Sequence, residues 1–181
     1  MMVSGDSTIE GYAQAVFSVA QAEEALDRVE DELFRFARAF EANADLGRRL
    51  GDEAIDLPTR LAIVRDLLGG RAHPQTISAI SYIVQSGRTR QLPEIADAVV
   101  SKAASARNRD VAEVRSAVPL DEEQTRRLAT ALGQSSGRQI DVKVVVDPDV
   151  VGGLIVRMGD TVIDGTVARR LQEMRTALTG G

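Results

Sequence analysis

Four aspartates stand close together near the end of the chain: Asp147, Asp149, Asp160 and Asp164. Carboxylates grouped in this way could hold a divalent cation, because hard cations take oxygen ligands. Turn and cap positions account for these residues without a metal. Asp147 precedes Pro148, where proline fixes φ and aspartate bonds its own backbone two residues on. Asp160 follows Gly159 at a second tight turn, and Asp164 stands where a helix N-cap belongs. The Gly152-Gly153 pair raises phosphate binding as a second chemistry. It leads into a strand rather than a helix N-terminus, and neither Gly-x-x-x-x-Gly-Lys-Ser/Thr nor Gly-x-Gly-x-x-Gly occurs. The only histidine, His73, directly precedes Pro74 and reads as a polar loop residue ahead of a helix. A lone histidine makes no metal site. With no cysteine, and no histidine placed to activate a serine, the sequence offers no nucleophile. The expectation is a protein with no catalytic site, no metal and no cofactor.

These residues sit in one ordered stretch, Val142 to Leu171. Two apolar β-branched runs flank the Asp147-Pro148 turn, and the glycine pair permits a bulge or positive φ before Leu154–Met158 resumes as a strand. Gly159-Asp160 turns the chain into Thr161–Ile163. Asp164 then precedes Val167, Leu171, Met174 and Leu178, at helical spacing. The pattern predicts strand, turn, strand, turn, helix.

This order of residues resembles the C-terminal signature of the delta subunit of bacterial F-type ATP synthases, the family of the mitochondrial oligomycin-sensitivity-conferring protein. The matching residues are Asp147, Gly152, Gly153, Arg157, Gly159, Asp160, Ile163, Asp164, Gly165, Thr166, Val167, Arg170 and Leu171. Ala168 stands where the family often has a basic residue, and the charge appears next door at Arg169. Tyr12-Ala13-x-Ala15-x-Phe17 is similar to the family's first helix. Ser86-Gly87-Arg88 followed by Leu92-Pro93 is similar to the junction of its fifth and sixth helices.

Composition agrees with a folded, non-enzymatic chain. The 181 residues allow one ordinary domain or two small ones, and 44% hydrophobic content suffices for a core. No apolar run approaches the ~18 residues of a membrane span, and the first residues lack a signal-peptide pattern, so a soluble cytoplasmic chain is expected. The net charge is −5 and tryptophan is absent. Neither half of the chain is basic, which argues against nucleic-acid binding.

From Thr8 to about Arg109 the periodicity is helical throughout. Ile9, Tyr12, Val16 and Ala20 form a first stripe, with Ser7 or Thr8 as its cap. Leu26, Val29, Leu33, Phe36 and Phe40 form a second, opposite a polar face of Asp27, Glu30, Asp31, Glu32, Arg35 and Arg38. A short helix around Asn43–Leu50 follows. The next starts at Asp56-Leu57-Pro58, with Leu61, Val64, Leu67 and Leu68 inward, and stops at Gly69-Gly70. Pro74 opens a helix bearing Ile77, Ile80, Ile83 and Val84, and Leu92–Ala103 makes the last. The pattern predicts an all-helical bundle of about six helices.

Residues 104–110 are small and polar, placing a boundary between domains 1–106 and 107–181. Val111–Val118 alternates as a strand, with Ala112, Val114, Ser116 and Val118 inward and Glu113 and Arg115 in water. Pro119 ends it. Asp121 with Gln124 makes a capping box for a helix bearing Leu128, Ala131 and Leu132, closed at Ser135-Ser136-Gly137. The fold class is α+β: an N-terminal bundle and a small C-terminal β-α-β-β-α domain.

The resemblance implies more than the residues do alone. It implies a non-catalytic part of the peripheral stator stalk, one copy per complex, peripheral on the cytoplasmic face of the bacterial cell membrane. The implied partners are the alpha (and beta) subunits of the catalytic head and the C-terminal end of the b-subunit stalk. It implies that an alpha-subunit helix docks between the first and fifth helices, on Ile9, Tyr12, Ala15, Val16, Ala79, Tyr82 and Ile83. A helical adaptor of another assembly is the alternative.

Overall fold

The structure is a computed structural model describing residues 4–165. Its contacts divide the chain into two compact units, Met1–Ala103 and Ala104–Gly181.

The first unit is built from six helices: α1 (Ser4–Ala22), α2 (Leu26–Ala42), α3 (Ala44–Gly51), α4 (Leu57–Leu68), α5 (Pro74–Gln85) and α6 (Leu92–Ala106, its last turn beyond the unit's boundary). A 3-10 turn at Thr89–Gln91 precedes α6. The helices start where side chains can accept their free N–H groups. Asn43 accepts from Asp45 and Leu46 at α3, Asp56 from Thr59 at α4, and His73 Nδ1 from Gln75 at α5. Pro58 and Pro74 occupy the first turns of α4 and α5, where no backbone donor is lost. Ser7 and Thr8 do not stand at the helix start, because α1 has already begun at Ser4.

Leu33, Leu50, Ile80, Ile83, Leu92 and Ile95 are fully buried and form the core with Val29, Val64, Val84 and Val99. Each large side chain so buried stabilises the fold by about 1.5–3 kcal/mol. α2 packs against α1, α3 and α5, so its buried arc is wider than one stripe. Phe34 and Ala37 are buried as well, and Glu30, read as solvent-facing, is only 1% exposed. Arg38 lies 4.7 Å over the Phe34 ring and is paired with Glu41 and Asp97. Leu67 departs in the other direction: it is 43% exposed, while Val64 is fully buried and Leu61 and Leu68 pack against the core.

The second unit contains β1 (Asp110–Ser116), α7 (Glu122–Ser136), β2 (Ile140–Val146), β3 (Leu154–Met158) and β4 (Thr161–Asp164). The strands order as β2-β1-β3-β4, with β1 parallel to β2 and the other pairs antiparallel. The parallel pair requires a crossover, which α7 supplies. Leu128 and Leu132 of α7 lie against Ala112, Val114, Ile140 and Val156. The expected capping box is present, and Gly137 closes α7 in the left-handed conformation.

Four particulars differ from the sequence reading. The Thr161–Asp164 segment is a fourth strand, paired with β3 across the Gly159-Asp160 turn. Val118 lies beyond the end of β1 and is 62% exposed. Ala131 is exposed, because Leu128 and Leu132 define the covered side of α7. Glu113 is only 7% exposed, since β1 is an interior strand with neighbours on both sides. Arg115 at 3.1 Å and Arg157 at 3.6 Å compensate its charge. The predicted helix bearing Val167, Leu171, Met174 and Leu178 lies outside the described residues.

Candidate helix-docking groove

A shallow apolar groove of about 270 Å³ runs between α1 and α5. α1 contributes Ala15, Val16, Val19 and Ala20, and α5 contributes Gln75, Ser78, Ala79 and Tyr82, with Val29 also lining the groove. The small residues keep both helix surfaces low where they face each other. Val19 and Tyr82, 49% and 53% exposed, are the large apolar side chains left open to solvent. Tyr12 and Tyr82 bring one residue from each helix together, their ring centroids 5.5 Å apart and their planes tilted by 42°. That separation suits an aromatic pair and steadies the exposed Tyr82 ring.

No acid or amine lines this groove. Its polar handles are the Gln75 amide and the hydroxyls of Ser78 and Tyr82. Such a surface carries no charged side chain. It suits the apolar face of an amphipathic helix, with anchors at three- and four-residue spacing. It also explains why large apolar side chains stand exposed on a well-packed bundle.

Of the residues expected here, Ala15, Val16, Ala79 and Tyr82 line the groove. Tyr12 joins through its ring contact, while Ile9 is partly buried against the core. Ile83 is fully buried, so it supports α5 from behind. Val19, Ala20, Val29, Gln75 and Ser78 were missed. A helical step from residues already chosen reaches four of them: Val19 and Ala20 are four on from Ala15 and Val16, and Gln75 and Ser78 are four before Ala79 and Tyr82.

The aspartates do not converge on a cation. Among the described residues no three metal-ligating side chains come together. Asp147 Oδ1 accepts from the Asp149 N–H at 3.0 Å, closing the expected turn, and its other oxygen meets Arg115 at 3.3 Å.

The family model described as ATP synthase delta (OSCP) subunit matches residues 9–178. The chain belongs to this family. An ATP synthase subunit delta of Parafrankia is 42% identical over 166 residues, covering 92% of this chain and 60% of that protein. The Streptomyces griseus subunit delta is 41% identical over 175 residues, covering 97% of this chain and 65% of its own length. The chain therefore spans less than two thirds of these relatives. Among solved structures, a chain of the Toxoplasma gondii mitochondrial ATP synthase hexamer superposes with a TM-score of 0.56 at 28% identity, covering 94% of this chain and 96% of that one.

The delta-family signature residues have architectural work within the second unit. Gly152, Gly153 and Gly159 adopt φ of 62°, 87° and 54°, where a side chain would be strained. Arg157 pairs with the buried Glu113. Asp160 is exposed in the β3–β4 turn, and Asp164 ends β4 opposite Ile155. The Gly165 N–H donates to the Leu154 carbonyl at 2.9 Å, and a Cβ there would meet that oxygen at 3.3 Å. Thr166, Val167, Arg170 and Leu171 lie outside the described residues.

Proposed function

We propose that the chain acts as the delta subunit of an F-type proton-translocating ATP synthase, a non-catalytic part of the peripheral stalk. In this role it joins the catalytic head to the membrane proton-conducting sector and keeps the head from turning with the rotor. Proton flow then drives ATP synthesis instead of slipping. Family membership and the apolar groove support this reading, and the groove carries it. A surface without catalytic groups but with exposed Val19 and Tyr82 suits holding a helix.

The partner proposed for the groove is the N-terminal helix of an alpha subunit, with the beta subunits nearby in the same head. The second unit receives the C-terminal end of the b-subunit stalk. One copy serves each complex, peripheral on the cytoplasmic face of the cell membrane. Among the described residues no helix is long and apolar enough to cross a membrane, which agrees with peripheral association.

The test is calorimetric titration of the chain with an alpha-subunit N-terminal peptide. Ala15→Asp and Val19→Asp place charges on exposed groove positions without touching the core. One-to-one binding weakened at least tenfold in both variants, about 1.4 kcal/mol, is the expected result. Equal binding by wild type and variants would remove the groove from the proposal.

A further inference from the structure

Another face of the first unit carries an open cleft of about 870 Å³, bounded by α3, the start of α4 and the turn before α6. It shares no lining residue with the α1–α5 groove. Arg60 and Arg90 both line it, and among the described residues neither has a carboxylate within 4 Å. Arg60 spends one nitrogen on the Leu50 carbonyl at 3.4 Å, while its buried Nε has no acceptor. Thr89 also lines the cleft, is only 2% exposed, and has a hydroxyl with no hydrogen-bond partner.

Buried donors without acceptors are uncommon in folded proteins because each costs its desolvation free energy. Two such groups, one of them on Arg60 itself, beside the Arg90 guanidinium form a donor set for an oxygen acceptor. A planar guanidinium matches a carboxylate in shape as well as charge. Asp52 and Glu53 lie along the same cleft, so a compact multivalent anion such as phosphate meets repulsion there. A single carboxylate carried on a longer, otherwise uncharged backbone avoids it. The cleft is also far larger than one small ion requires. Its wall at Gly51 is bare backbone, and a Cβ added there would meet nothing within 4 Å.

We propose that this cleft binds an acidic peptide segment of a partner protein, with Arg60 and Arg90 receiving a glutamate or aspartate side chain. It is a second docking site, independent of what occupies the α1–α5 groove.

The test uses nitrogen-15 NMR of the full chain, following the Arg60 and Arg90 Nε–H signals and the Gly51 and Thr89 amides. The probes are acetyl-Gly-Gly-Glu-Gly-Gly-amide, its glutamine counterpart and inorganic phosphate. The glutamate peptide is expected to give saturable shifts at these groups, with at least tenfold weaker binding of the glutamine peptide. Arg60→Gln with Arg90→Gln should weaken binding tenfold or more. Gly51→Leu, which fills the cleft while keeping both arginines, should do the same with the rest of the spectrum unchanged. Absence of saturation, equal response to the glutamine peptide, or binding retained in Gly51→Leu would each overturn the site. Phosphate saturating at lower concentration than the peptide would overturn it in favour of a small-oxyanion site.

Discussion

Glu32 on α2 and His73 at the start of α5 are joined by a 2.7 Å hydrogen bond in which the His73 backbone N–H donates to Glu32 Oε2. The Thr76 hydroxyl donates to the same oxygen at 2.7 Å, and Arg28 holds the other carboxylate oxygen at 2.8 Å. A carboxylate from one helix thus accepts from a backbone N–H and a hydroxyl at the start of another, where the helix dipole also favours negative charge.

Partial burial pushes the Glu32 carboxyl upward, but the hydrogen bonds from Arg28, Thr76 and His73, with the Arg28 charge, outweigh it and hold the group below its ordinary value of 4.5. A carboxyl depressed in the folded state contributes stability that is present above pH ~4.5 and lost as pH falls through the folded value. Glu32→Gln should therefore cost about 1–3 kcal/mol at pH 7, with the difference from wild type narrowing below pH ~4.5. Tyrosine fluorescence during urea unfolding reads this directly, since both tyrosines, Tyr12 and Tyr82, belong to the first unit. A pH-independent difference would show that the charge of Glu32 is not what binds α5.

Asp121 and Gln124 satisfy each other's backbone donors at the start of α7, at 2.7 and 3.0 Å. Asp121→Ala should destabilise the second unit by about 1 kcal/mol. Gln124→Ala should cost less, and the double variant less than the sum, because the two bonds belong to one motif. Amide hydrogen exchange along β1 and β2 measures these changes.

Gly153 has φ of 87°, well inside the region that a Cβ disfavours. Gly153→Ala should cost about 1–2 kcal/mol by strain at this turn. Faster amide exchange at Val156 and Met158 is the expected readout. An unchanged exchange pattern would mean that the turn relaxes without disturbing β3.

Leu33 and Leu67 separate pattern from packing. Both fall on predicted apolar stripes, but Leu33 is fully buried and Leu67 is 43% exposed. Leu33→Ala should cost about 2–5 kcal/mol by cavity formation. Leu67→Ala should stay under about 1 kcal/mol, as much of its surface is already in water. Urea midpoints of the two variants check the contrast.

Helix starts were legible because capping is local. Asn43, Asp56 and Asp121 act within three residues of themselves, and those are the interactions a linear reading can see. The glycine turns were legible for the same reason, since positive φ is a demand on one residue. Burial of Glu30 and Glu113 was not, because it depends on which elements flank α2 and β1. Thr161–Asp164 is too short to declare itself a strand until β3 lies beside it. The groove was half legible: the family resemblance marked Ala15, Val16, Ala79 and Tyr82, but the share of Val29 on α2 required the helices to be placed together.

The residue order alone determined the six-helix bundle, the capped helix and turns of the second unit, and the resemblance to the delta family. Each rests on local chemistry or periodicity that survives in one dimension. Tertiary structure decided the strand order, the placement of Glu32 against α5, the open α1–α5 groove and the cleft holding Arg60, Arg90 and Thr89. These depend on distances between residues far apart in sequence, and only packing brings such residues within bonding range.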